Sequence, residues 1–231
     1  MKKIGLIGGM SWESTAIYYK VINQEVSKRL GKLHSARLVV DSVDFEEIEI
    51  YQREGRWDDS AQVLIQSAKD LQAAGADFAM ICTNTMHKVY QQVADSISIP
   101  LVHIADAAGI RLLEEEIQTI GLLGTKYTMR EDFYKQRLID KFKINVIVPE
   151  ENDQELINQV IYNELCLGNV RADSKEYYLQ VSNQLAEQGA QAILLGCTEI
   201  GMLVKPEDLV LPVFDTALLH AHYAVDLALE N

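Results

Sequence analysis

Several absences narrow the function of this chain before any motif is read. Only four prolines occur in 231 residues, which excludes the proline-rich compositions of collagenous and disordered chains. No run approaches the roughly 18 apolar residues of a membrane helix. The start, Met1-Lys2-Lys3, opens like a signal peptide, but Ile4 to Ile7 is broken by Gly5 and stopped by Gly8-Gly9, far too short for a leader's apolar region. A cytoplasmic protein without a membrane partner is therefore expected. Cysteine is scarce: Cys82, Cys166 and Cys197 are odd in number and form no CxxC pair, which argues against a disulfide framework and a zinc site and leaves a reactive thiol as the special use. The five histidines (His34, His87, His103, His220, His222) show no HxxxH pattern, so no metal is expected. Basic residues are also short, 21 against 34 acids, for a net charge of −13. That field repels phosphate backbones, so no nucleic-acid partner is expected. It would repel a small anionic substrate too, unless cations or N–H groups gather locally.

What is present is an ordinary enzyme composition, 48% hydrophobic, long enough for one large domain or two small ones. Short β-branched runs alternate with segments of helical period, the pattern of an α/β protein with parallel sheets. Strands are expected at Lys3–Ile7, Arg37–Val43, Phe78–Cys82, Leu101–Ile104, Thr119–Leu123, Asn145–Val148 and Ala192–Leu195. Thr128 to Glu131 reads as a capping box before a helix to Phe142, and Asn152 to Glu155 as another before a helix to Leu165. Ser60 to Ala73 places Ala61, Leu64, Ile65, Ala68 and Leu71 on one helical face.

The chain also resembles itself at an offset of about 115 residues. Ile4-Gly5-Leu6-Ile7-Gly8 recurs as Ile120-Gly121-Leu122-Leu123-Gly124, Gly75 to Thr85 aligns with Gly189 to Glu199, and Ile99 to His103 aligns with Leu211 to Asp215. Three matches in one order imply two similar lobes, 1–104 plus 216–231 and 105–215, each a parallel sheet flanked by helices. A pseudo-twofold relation with the active site between the lobes is the expectation that follows.

In this alignment Thr83 is the equivalent of Cys197, and both fall at the carboxyl end of a strand, where open α/β sheets bind ligands. A following helix N-terminus would lower the Cys197 thiol toward a thiolate that can act as base or nucleophile. Thr198-Glu199 and Asn84-Thr85 extend the two polar turns, each equally readable as a first helical turn. Cys82, one residue before Thr83, should face the other way, into the core. The glycine loop carrying Met10 and Ser11, and its repeat carrying Thr125 and Lys126, could offer amides and hydroxyls to an anion. The loop-like stretch Tyr51 to Trp57, with Gln52, Arg53 and Arg56, is either a surface charge cluster or a carboxylate clamp. His87 reads as a satisfied helix histidine.

The Gly8-Gly9-Met10 loop, the Asn84-Thr85-Met86-His87 segment, the Gly196-Cys197-Thr198-Glu199 segment and the duplicated lobe together resemble the aspartate/glutamate racemases over essentially the whole chain. The resemblance implies a homodimeric isomerase that uses neither pyridoxal phosphate nor metal and acts on an amino acid by 1,1-proton transfer, with one cysteine on each face of the α-carbon. Glu199 points to the aspartate-like branch, because the glutamate racemase branch carries His there. The departure is Thr83, where the family pattern has the first cysteine; a second is Cys166, where some members carry a lysine. By resemblance, Cys197 is the base toward the L-enantiomer and Thr83 the opposite-face donor, with Met10, Ser11, Gln52, Arg53, Asn84, Thr85, Thr125, Thr198 and Glu199 binding substrate. A superfamily decarboxylase or isomerase using a single cysteine, and a catalytically lapsed amino-acid-binding module, are the alternatives.

Overall fold

A computed structural model describes residues 1–230. The chain runs β1 (Ile4–Gly8), α1 (Trp12–Leu30), β2 (Leu38–Ser42), α2 (Phe45–Glu54), α3 (Trp57–Ala73), β3 (Phe78–Ile81), a 3-10 turn (Thr85–Val89), α4 (Tyr90–Ala94) and β4 (Leu101–Val102). It continues through α5 (Ile104–Glu114), β5 (Thr119–Gly124), α6 (Lys126–Arg130), α7 (Asp132–Phe142), β6 (Asn145–Ile147), α8 (Glu151–Asn163), α9 (Ala172–Glu187), β7 (Ala192–Gly196), α10 (Ile200–Leu203), β8 (Val213–Asp215) and α11 (Thr216–Leu229). Two compact units result, Met1–Ile104 with His220–Asn231, and Ala105–Leu219.

Each unit holds a four-stranded parallel sheet, in order β2-β1-β3-β4 in the first and β6-β5-β7-β8 in the second. The repeat extends to the register. Ile4 lies opposite Phe78 and Ala79 opposite Leu101, while the aligned residues Ile120 and Ile193 lie opposite Ala192 and Val213. Even the helix exits match: the amide of Ala76 donates to Leu71 O at 3.1 Å and that of Ala190 to Leu185 O at 3.0 Å. The intervening Gly75 and Gly189 take φ of +79° and +99°, a conformation strained for residues with a Cβ. The strand after Pro212, β8, was not expected as a strand from its own three residues; only the match to Ile99–His103 pointed to it.

The central strands are continuously buried because helices cover both sheet faces. In the first unit Leu64, Ala68 and Leu71 of α3 pack with Ile7, Ile48 and Ile81. Ile65, expected on that face, sits at its half-buried edge. In the second, Ile157, Tyr178 and Leu185 pack with Leu123, Leu195 and Cys197.

Three local expectations are corrected. Thr128 does not start a helix: Thr125 is the N-cap of α6, accepting from Thr128 N–H at 3.4 Å, and the chain bends at Glu131 before α7 begins. Helix α8 starts at Glu151, not near Asn152 to Glu155, because Gln154 reaches back to Pro149 O (2.6 Å) and its amide donates to Glu150 O. It stops at Asn163, where Glu164 leaves helical geometry (ψ −68° at φ −125°). Tyr51 to Glu54 is helical, not loop, since α2 continues to an αL glycine cap at Gly55.

Candidate active site

In a parallel sheet all carboxyl ends lie at one edge, so the turns after β1 and β3 gather in the first unit, and those after β5 and β7 in the second. The residues named from the sequence therefore fall into two groups.

In the second unit β7 ends at Gly196 and the chain turns through Cys197, Thr198 and Glu199 into α10. All three side chains are buried. The Cys197 thiol donates to Glu199 Oε2 at 3.0 Å, and the Thr198 hydroxyl donates to the same oxygen at 2.7 Å. This corrects the expected thiolate. Burial, reinforced by the Glu199 carboxylate and by neighbouring Cys166, holds the Cys197 thiol well above the ordinary thiol range. Helix α10 spans only four residues, too little aligned backbone to offset those effects. At rest Cys197 is an acid with its proton aimed at a carboxylate. Asp215, at the end of β8, caps α11 by accepting from the amides of Ala217 and Leu218. Its carboxyl is pushed up to about 6, chiefly by burial. Thr125 is buried and spends its oxygen on the α6 cap, and the Lys126 amide donates to Asn158 Oδ1 at 3.0 Å.

In the first unit β3 ends at Ile81, and Cys82 to Asn84 form a bend before the 3-10 turn. Cys82 is buried and its thiol is raised by desolvation, the inert state of a core cysteine. Thr83 is half-buried, whereas Asn84 and Thr85 are buried. The Thr83 carbonyl meets His87 Nδ1 at 2.9 Å. The glycine loop is more self-contained than expected: the Gly9 amide donates to Thr15 Oγ1 (2.8 Å), and that hydroxyl donates to Ser11 O (3.0 Å). Ser11 Oγ caps α1 through Ser14 N–H, the same duty Thr125 has in α6. Met10 belongs to the hydrophobic core.

The stretch from Gln52 to Arg56 divides. Gln52 is buried, its side-chain amide donating to Met86 Sδ at 3.0 Å. Arg53 is 66% exposed with Glu49 at 3.7 Å, and Arg56 holds Asp59 and Glu54 while lying over the Tyr51 ring. Arg53 thus engages a carboxylate of its own helix, and Arg56, which lies between α2 and α3, engages one from each. Asp215 is the residue the sequence left unmarked, although the repeat pairs it with His103, while the four-residue spacing of Thr83 and His87, which can set the ring one turn above Thr83, is realised in the contact of Nδ1 with the Thr83 carbonyl. Among the described residues no three His, Cys, Asp or Glu side chains gather as metal ligands, and no helix is long and apolar enough to cross a membrane.

Two parallel α/β units of one strand order, each with a polar turn after its third strand, define a duplicated α/β protein; one turn carries the Thr83 hydroxyl and the other the Cys197 thiol. The chain belongs to the Asp/Glu/Hydantoin racemase family, whose model matches residues 7–224. It is 24% identical over 226 residues to the broad specificity amino-acid racemase RacX of Bacillus subtilis (strain 168), covering 93% of this chain and 92% of that one. A crystal structure from Yersinia pestis, described as an Asp/Glu racemase candidate, is 50% identical with a TM-score of 0.93. That of an aspartate racemase homologue from Pyrococcus horikoshii OT3 is 35% identical with a TM-score of 0.84. Both cover all of each chain.

Proposed function

We propose that the protein is a cofactor-independent racemase of aspartate or glutamate, with Cys197 as base toward the L-enantiomer and Thr83 as proton donor on the opposite face. The observation that carries this reading is the thiol of Cys197 hydrogen-bonded to Glu199 at the end of β7, with Thr83 in the matching position after β3. Because the thiol rests protonated, the first step passes its proton to Glu199 Oε2. The thiolate then takes the α-proton: the Cα–H bond breaks, S–H forms, and the electron pair stays on the α-carbon, delocalised into the carboxylate. Backbone amides of Asn84, Thr85 and Thr198 would hold that carboxylate and its growing charge. The Thr83 hydroxyl delivers a proton to the other face and is replenished by solvent, since a free alkoxide is far too basic to persist, while Glu199 gives up to solvent the proton it took from Cys197, which now holds the substrate's α-proton.

The equilibrium constant of racemisation is unity, so kcat/KM must be equal for the two enantiomers, and asymmetry can enter only through kcat, KM or isotope exchange. Exchange tests the reading. In deuterated buffer the wild type incorporates deuterium at the α-carbon of L-aspartate or L-glutamate, and Cys197→Ala abolishes it; exchange that survives in Cys197→Ala overturns the assignment. Thr83→Cys, which installs a stronger acid and base, raises kcat from the D side.

The protonated resting thiol favours one other reading, a superfamily decarboxylase in which Cys197 alone protonates an enediolate. Carbon dioxide release from a disubstituted malonate, without α-proton exchange in amino acids, would establish it. Calorimetric binding of glutamate with neither reaction would mark a lapsed binding module.

A further inference from the structure

We propose that His87 is a positioning residue for Thr83, and that it directs the proton given to the second face of the substrate; this rests on the function proposed above. The geometry of the imidazole is over-determined. Its Nε2 lies 3.1 Å from the amide of Ile104, which can only donate, so Nε2 must be the bare nitrogen. Nδ1 therefore carries the proton and donates to the Thr83 carbonyl at 2.9 Å. The ring is buried, with His103 4.4 Å, Tyr90 6.1 Å and His220 6.1 Å away between centroids. His220 is itself fixed: its Nε2 faces Val102 O at 3.3 Å, so it donates there, while Nδ1 accepts from the Tyr18 hydroxyl at 3.0 Å. Both are thus neutral rings of defined tautomer, and burial holds His220 well below the ordinary histidine range.

The link acts on the chemistry through peptide geometry. The Thr83 carbonyl and the Asn84 amide share one planar, trans peptide, so the N–H points opposite to the C=O. Anchoring the carbonyl on His87 directs the Asn84 N–H away from the imidazole and fixes the backbone from which the Thr83 side chain springs. His87 is held in turn by the amide of Ile104, just past β4. The turn after β3 is thereby clamped to the next strand's end by a side chain that need touch no substrate.

The partition of the carbanion reports this role. With L-glutamate in deuterated buffer, deuterium entering the L pool measures return through Cys197, and D-glutamate measures delivery by Thr83. A structural defect would lower the active fraction and leave the ratio of the two unchanged. Misplacing Thr83 lowers the ratio itself. His87→Ala is expected to reduce D-product relative to L-exchange by about tenfold, since small misplacements of a reacting group are that costly. His87→Asn, whose Nδ2 can still donate to the Thr83 carbonyl, restores the ratio to within about threefold of wild type. His87→Gln, which can satisfy only Ile104, does not. An unchanged ratio in His87→Ala, or equal ratios in the Asn and Gln variants, overturns the proposal. Loss of wild-type exchange, or its survival in Cys197→Ala, defeats the racemase reading instead. Nitrogen-15 shifts of His87 in the wild type test the clamp without turnover: protonated Nδ1 with bare Nε2 at neutral pH is required, and the opposite tautomer or a charged ring overturns it.

Discussion

Cys197 illustrates why a reactive residue cannot be judged from its position alone. Its strand-end location was readable, because the run Ala192 to Leu195 and the repeat with Thr83 announce it. The sign of its perturbation was not. Whether residues two apart meet depends on the turn's dihedrals, and only the bend into α10 brings the Glu199 carboxylate onto the thiol. Glu199→Gln removes the negative charge and weakens the thiol's acceptor, so Cys197 should ionise at lower pH than in wild type, though burial still holds it high. Alkylation of Cys197 followed by mass spectrometry across pH measures this, and an unshifted midpoint would contradict it. Asp215 carries a second residue-scale prediction. Its folded value of about 6 lies above that of an unfolded aspartate, near 3.9. Its favourable contribution is complete below pH about 4 and is lost as pH rises through 6, by at most about 3 kcal/mol. Asp215→Asn should therefore lose less stability than wild type between pH 4 and 7 in urea titrations.

Among the elements, the sheets were legible and the short helices were not. Seven strands lie where hydrophobic runs put them, because continuous Val, Ile and Leu between turn residues is what a strand buried on both faces requires. β8 has only three half-buried residues, too few to show a period. The chain divides at Glu131, whose backbone is extended (φ −85°, ψ 158°) between α6 and α7, and the 3-10 turn after Asn84 runs only five residues, so neither leaves a helical period to read. One connection is tight enough to test. Gly9 has φ of +92°, and a Cβ there would sit 2.1 Å from the Val43 carbonyl oxygen, which is backbone and cannot step aside. Gly9→Ala should cost about 3 kcal/mol or more and displace the turn that holds Ser11; an unchanged urea midpoint would refute that. By contrast Gly55→Ala, with open space around its Cβ, should lose only about 1 kcal/mol to backbone strain.

For the whole molecule, the net charge of −13 sets the approach of an anionic substrate. Arg53, which with Lys126 is the cation expected to offset it, has an acidic partner of its own, as does Arg56. Long-range repulsion should then slow encounter, and kcat/KM for a dicarboxylic amino acid should rise by roughly twofold between 10 and 100 mM salt as the Debye length shrinks from about 30 to 10 Å. A fall with salt would mean that local positive potential governs entry. The two sheets, finally, share strand order, and their first and third strands share register at the aligned residues, as a shorter gene joined to its own copy would produce. Positions 83 and 197 then descend from one ancestral codon. Threonine and cysteine codons are not a single base change apart, and the shortest path between them passes through serine. A path of single-base changes between the two residues therefore meets serine, and Thr83→Ser installs that halfway side chain, a primary hydroxyl, at one of the two matched turns.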